Sequence, residues 1–331
     1  MRRALPLRLL AVACAVPLFV ASCGDDEPAG STAPPTSDSP TPSVTETTPD
    51  PPITSGSDLP IVEGGFGETP TITVPDNDPP PDLLAKTLHK GKGATVKAGD
   101  TLVADYLGVR WDGGDTFDSS FDRAPISFVV GVDPIIEGWE KGLSGQTVGS
   151  RVLLVIPPDL AYGDQPPGDP IQPGDTLVFV VDILGTHSAT DTASGKLTPT
   201  EDDSLPAVTV LPKKPEIFVP PGKAPPKLIS IPVITGKGPK VQSGDTLVVQ
   251  YVGVLCRNGK EFDSSWGAQP LVTQIGVGAV IPGWDQGLVG QTVGSRVLLV
   301  VPAKLGYGDK GSGNIKPGED LVFAVDILAA Y

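Results

Sequence analysis

The feature that most constrains this chain is an internal duplication. Residues 145–155 read GQTVGSRVLLV, and residues 290–300 repeat the same eleven letters at an offset of 145 positions. The offset also relates Val74 to Val219, Tyr106 to Tyr251, Phe117 to Phe262, Trp139 to Trp284 and Tyr162 to Tyr307, and it slips by one before Phe179 and Phe323. Such a period is far longer than the roughly 20–50 residues of a solenoid unit, so each copy is expected to have its own core. The 331 residues therefore read as one domain used twice, preceded by other material.

Within a copy the pattern is mostly that of strands. In TLVFVVDIL, residues 176–184, Leu177, Phe179, Val181 and Ile183 alternate as one face of a half-buried strand. Segments 101–109, 126–130 and 151–156 are rich in β-branched residues and bounded by Gly, Pro or Asp, as strands are. One segment differs. In IIEGWEKGL, Ile136, Trp139 and Leu143 recur at helical spacing, while Gly138, Gly142 and Gly145 keep the element short. The expected class is α+β: in each copy an antiparallel sheet wraps one short helix.

What precedes the repeats has another character. Residues 1–22 carry Arg2, Arg3 and Arg8, an apolar run from Leu9 to Val20 and small residues at the end, which is the layout of a secretory signal. Val20-Ala21-Ser22-Cys23 resembles the lipobox of bacterial lipoproteins, which implies Cys23 as the lipid-bearing residue. From Gly24 to Asp58 there are eight prolines, seven acidic residues and no basic one, a composition that buries too little apolar surface to offset chain entropy. About 60 residues of such chain would span about 40–45 Å. The expected boundaries are a signal at 1–22, a tether at 23–70, a first domain at 71–187, a linker at 188–212 and a second domain at 213–331.

Composition closes off several functions. The 24 Lys+Arg and 39 Asp+Glu leave a net charge of −15, which opposes binding to nucleic acid, where clustered cations must replace counterions. Three Cys and two His are too few for a structural zinc site. His89 and His187 lie in no Ser or Cys catalytic pattern and read as solvated surface residues, and Cys256 reads as an inert hairpin residue.

The ordered series YLG, TFDSS, PIIEGWEKGL, LAYGD and TLVFVVDIL, present twice at matched spacing, resembles the FKBP-type (tacrolimus-binding) peptidyl-prolyl isomerases. That resemblance covers nearly all of each copy and implies an antiparallel sheet of five or six strands curled over a short helix. It also implies a pocket, formed in the first copy by Tyr106, Phe117, Asp118, Ile135, Ile136, Trp139, Tyr162 and Phe179. The second copy supplies Tyr251, Phe262, Asp263, Val280, Ile281, Trp284, Tyr307 and Phe323. By the same resemblance Ile126, Phe128 and Ile171, and in the second copy Leu271 and Ile315, are substrate-binding candidates. The Trp would form the floor, the backbone N–H of Ile136 or Ile281 and the hydroxyl of Tyr162 or Tyr307 would bind carbonyls, and the Asp would lie beside the twisting amide. By residue pattern alone Trp139 and Trp284 read as core, and Asp118 and Asp263 as residues that close a turn.

The copies differ where the resemblance makes differences matter. Arg123 stands near Asp118, whereas Ala268 occupies the matching position near Asp263; Phe128 becomes Thr273. After Tyr-Gly-Asp the loops read QPPGDPIQP and KGSGNIKP, and neither has the family's loop His. The expected function is cofactor-free isomerisation of X–Pro bonds in exported polypeptides, with the first copy the more active. The alternatives are a holdase-like module that binds Pro segments without turnover, and a structural spacer. The expected partners are Pro-containing exported chains and macrolide ligands. The expected form is an extracytoplasmic monomer held to the membrane only by its lipid.

Overall fold

A computed structural model describes residues 58–199, 202–221 and 225–331. The signal segment, Cys23 and the tether up to residue 57 lie outside the described residues. In the first repeat, β1 (Ile61–Glu63) and β2 (Thr71–Thr73) form a hairpin ahead of β3 (Leu84–His89), β4 (Thr101–Arg110), β5 (Thr116–Ser119), β6 (Ile126–Val129), helix α1 (Glu137–Leu143), β7 (Arg151–Ile156) and β8 (Leu177–His187). In the second, β9 (Lys196–Leu197) and a hairpin of β10 (Ala207–Val208) and β11 (Ile217–Phe218) precede β12 (Ile229–Thr235), β13 (Thr246–Leu255), β14 (Glu261–Ser264), β15 (Leu271–Gln274), α2 (Pro282–Leu288), β16 (Arg296–Val301) and β17 (Leu321–Ala330).

Each repeat is an antiparallel sheet with its helix on one face. The first sheet runs β3-β7-β8-β4-β5, with β6 beside β5 along β4. The second runs β14-β13-β17-β16-β12-β9, with β15 also on β13, so residues of the expected linker add a seventh strand. The expectation of a curled sheet is corrected here. The two ends of each sheet do not pair with one another, and neither sheet is strongly curled or closed. Bulges, such as those between Val103 and Ala104 and between Gly108 and Val109, add local twist without closing a barrel. Wrapping is unnecessary because the helix already lies close to the sheet. A Cβ on Gly138 would come within 2.4 Å of Ile156, and one on Gly142 within 2.5 Å of Leu154. Only glycine allows that approach, at about 1 kcal/mol of helix propensity each.

The strand over residues 176–184 is not half-buried: from Leu177 to Ile183 every residue of β8 is buried. Leu177, Phe179, Val181 and Ile183 face the helix, whereas Val178 and Val180 join a second cluster with Val62 and Trp111 on the opposite face. The β1-β2 hairpin supplies that cover and is pinned by Arg151. The guanidinium donates to both oxygens of Asp182 at 2.6 and 2.8 Å and to the carbonyls of Gly64 and Glu68 at 2.6 Å each. Arg296 repeats the device with Asp326 and the carbonyls of Thr209, Leu211 and Lys213. Described stretches on either side of the expected domain boundaries are therefore docked against the sheets.

The two repeats fall in one compact unit. Val103, Val248 and Ala329 pack with Leu184, Val272, Leu328 and Tyr331. His187 is not a solvated surface residue; it meets the Tyr331 hydroxyl at 2.9 Å, and burial pushes its pKa down.

Candidate functional site

The site begins with strand alternation. On β4, Leu102, Ala104 and Tyr106 point toward the helix, and Gly108 follows at the next position of that face. On β8, Phe179 points the same way. Trp139, one turn into α1, is 3 % exposed and receives these rings edge-on. Its centroid lies 5.3 Å from Tyr106, 5.3 Å from Phe179 and 5.8 Å from Phe128, and Phe117 meets Phe179 at 5.4 Å. Edge-to-face contacts of this kind fix ring orientation as well as burying area. Gly108 makes room for them: a Cβ there would come within 2.5 Å of Phe117 and 3.0 Å of Phe179.

Polar groups gather at one side of this box. The Tyr106 hydroxyl donates a short hydrogen bond to Asp118, and Arg123 donates to the other carboxylate oxygen and, at 3.0 Å, to the Tyr106 hydroxyl. Burial, and then the bond to Asp118, hold the Tyr106 phenol well above its ordinary pKa, so it remains a donor. The Tyr162 phenol is also raised, by burial and then by the Asp118 charge, and its ring is 38 % exposed, which leaves the hydroxyl reachable. Ser120 positions this edge, a role the sequence analysis missed. Its hydroxyl accepts the Tyr106 N–H at 2.9 Å and donates to Asp105 at 2.7 Å, tying the FDSS turn to β4. Recurrence of that Ser as Ser265, which accepts the Tyr251 N–H at 2.8 Å, was the available signal.

Ile136 caps α1 in an extended conformation with φ −60° and ψ 138°. Among the described residues its N–H has no protein acceptor, and the same holds for Ile281 at the start of α2. Ile126, Ile135 and Ile136 pack half-buried against the core, and Ile171 is buried within it. The structure thus brings the sequence-derived residues of the first repeat into one neighbourhood.

The second repeat builds the same box with fewer parts. Trp284 lies 5.3 Å from Tyr251 and 5.5 Å from Phe323, and Phe262 meets Phe323 at 5.6 Å. Tyr251 donates to Asp263 at 2.6 Å, and no cation joins them among the described residues. Trp284 has no ring corresponding to Phe128, since Thr273 stands there. A cavity of about 420 Å³ opens over these rings, bounded further by Leu271, Val280, Ile281 and Tyr307. Ala279, which the sequence analysis did not single out, also borders it; Ile315 instead lies in the core. Such a cavity offers an apolar wall, a carboxylate, phenolic hydroxyls and an unpaired N–H, and no nucleophile beside a base.

Comparison with known proteins shows which family the chain resembles. The family model described as FKBP-type peptidyl-prolyl cis-trans isomerase matches residues 92–184 and again 238–328. An "FK506-binding protein" of Streptomyces anulatus is 48 % identical over 120 residues, which are 35 % of this chain and 97 % of that relative. "Peptidyl-prolyl cis-trans isomerase FKBP9" of Homo sapiens is 34 % identical over 238 residues, covering 71 % of this chain and 35 % of the relative, so the chain spans about a third of that longer protein. The solved structure of FkpA from Escherichia coli is 42 % identical, covering 32 % of this chain and 48 % of that one, with a TM-score of 0.30. The chain belongs to the FKBP-type peptidyl-prolyl cis-trans isomerase family, carries that family's domain twice, and is an enzyme of that type.

Proposed function

We propose that both aromatic boxes isomerise X–Pro bonds of exported polypeptides, that the first repeat is the more efficient catalyst, and that the residues named above form the two sites. The observation that carries this reading is the edge-to-face box around Trp139 with the unpaired Ile136 N–H at its rim, repeated around Trp284. The X–Pro amide turns slowly because resonance sets a barrier of about 18–20 kcal/mol. The planar amide is the more charge-separated form, so water stabilises it more than the twisted one. In the box the prolyl ring would sit against Trp139 and the rings around it, and the amide would leave water. The Ile136 N–H and the Tyr162 hydroxyl would then hold the carbonyls in a geometry the twisted state satisfies best. A reduction of about 7 kcal/mol would correspond to roughly 10⁵-fold acceleration without any covalent step.

The ranking of the repeats rests on Asp118. Each Asp accepts the N–H of the residue after it, Ser119 or Ser264, at 2.9 Å. Two side chains, Tyr106 and Arg123, also hold Asp118, whereas among the described residues Tyr251 is the one side chain that bonds Asp263. The decisive experiment measures turnover of a short X–Pro peptide by the full chain carrying Asp118→Ala, Asp263→Ala or both. The larger loss is expected from Asp118→Ala and near-complete loss from the double variant. A larger loss from Asp263→Ala would reverse the ranking, and full turnover by the double variant would remove both carboxylates from the site. Peptide binding without turnover by the parent chain would leave a holdase-like module instead. Extracytoplasmic location and lipid attachment through Cys23 belong to the same proposal: Cys23→Ser should release the protein from membranes into the soluble fraction.

A further inference from the structure

Outside the two aromatic boxes, one more concavity is positioned to meet a substrate. A groove of about 350 Å³ separates the repeats, with Ser127, Val129 and Asp133 of the first on one side and Tyr251, Gln269 and Leu271 of the second on the other. Tyr251 and Leu271 also border the cavity over Trp284. A chain that leaves that cavity past these two side chains therefore enters the groove. The groove is preformed. Thr101 donates to Gln269 across it at 3.3 Å, and the apolar contact around Val103 and Val248 fixes its walls. A Cβ on Gly185 would come within 1.7 Å of the Tyr331 hydroxyl, so the two surfaces are closely fitted.

The lining indicates what occupies it. Two strands that contribute to the groove, β6 and β15, each pair on one side only, β6 with β4 and β15 with β13. On β6 the turn already uses both main-chain groups of Val129, whose carbonyl accepts from Val132 and Asp133. The edge before it at Ser127, and that of β15 at Val272, suit an extended polypeptide, whose main chain can bond there. The lining carries one charged side chain. Asp133 accepts the Val129 N–H through Oδ2 at 2.7 Å, and its Oδ1 has no donor among the described residues.

We infer that this groove is a subsite for the polypeptide flanking a proline held in the second repeat, that the first repeat supplies one of its walls, and that Asp133 favours a basic residue on that flank. The inference rests on the prolyl-site reading of the second cavity. It makes the tandem arrangement part of substrate selection, with binding cost lowered because the walls are already ordered.

The test uses the full chain and a twelve-residue peptide with a central proline, a photoreactive benzoylphenylalanine on one flank and Lys or Glu beside it. Irradiation and mass spectrometry are expected to place the adduct within residues 127–133. That adduct should disappear in Val280→Trp, which fills the second cavity from its rim, and under excess of a short X–Pro tetrapeptide, which needs no variant. Asp133→Asn, which keeps an acceptor for Val129, should reduce the preference for the Lys peptide over the Glu peptide about threefold, the scale of one partly exposed charge pair. Adducts confined to other segments, adducts that survive both blocks, or an unchanged Lys preference would overturn the inference. Turnover of the same peptide is followed in parallel. Expected adducts without turnover would sink the isomerase reading and keep the groove, whereas turnover with adducts elsewhere would do the reverse.

Discussion

Replacing Gly108 by Ala tests whether ring placement, rather than mere apolarity, makes the first site work. The new Cβ would sit 2.5 Å from the tip of Phe117 and 3.0 Å from Phe179. Comfortable carbon contacts need about 3.5–4.0 Å, so the Phe117 ring must retreat by about 1 Å. Overpacking of this kind destabilises by about 1–3 kcal/mol. A displacement of about 1 Å at a site that acts by positioning corresponds to as much as 100-fold in rate. In an Asp263→Ala background, which isolates the first site, Gly108→Ala should lower kcat/KM for an X–Pro peptide by tenfold or more and shift the urea midpoint downward. Adding Phe117→Leu separates the two effects. Leu ends short of the clashing ring tip, so the midpoint should largely recover while kcat/KM stays low. Gly108→Ala with kcat/KM within twofold of its parent and an unshifted midpoint would refute the reasoning, because the rings would then have moved at no cost.

Three further outcomes follow from other contacts. Arg151→Met leaves the Asp182 carboxylate buried with the Gly67 N–H at 2.7 Å as its remaining donor, and should destabilise the first repeat by about 3–5 kcal/mol in urea unfolding and expose the β1-β2 amides to hydrogen exchange. Ala268→Arg should raise kcat/KM of the second site by at most about fivefold in an Asp118→Ala background: Ala268 and Arg123 share the same backbone turn, and the model pair of Arg123 and Asp118 is half exposed and so worth about 0.2–1 kcal/mol. The folded-state pKa of His187 lies below its ordinary 6.5, owing to burial, while Asp191 and Asp100 act the other way. The unfolded chain thus takes up the proton first. Stability should be full above pH 6.5 and fall as pH drops below it, by at most about 1.4 kcal/mol per pH unit; His187→Gln should flatten that slope in pH-dependent urea midpoints.

Much of the site was legible through the family resemblance that its short, ordered motifs carry, whereas local pattern alone read Trp139 and Trp284 as core. Trp139 and Leu143 recur at helical spacing and Phe179 alternates along its strand, and duplication at a fixed offset separated both patterns from chance. The pairing of Tyr106 with Asp118 was not legible in that way. It depends on β5 returning along β4, with Gly108 directly opposite Asp118, and on Ser120 holding the turn.

The sequence by itself determined that one α+β domain occurs twice and where four strands and the helix of a copy run, since these are written in local periodicity or in identical letters at matched positions, while the pocket residues were expected from the family resemblance that its ordered motifs carry. Tertiary structure alone decided that the sheets stay open, that both faces of β8 are covered, that His187 is half-buried against Tyr331, and that a groove joins the repeats. These features arise from contacts such as Arg151 with Gly64, 87 residues apart, or Thr101 with Gln269, 168 apart. Such contacts impose no period on either segment, so only the packed chain reveals them.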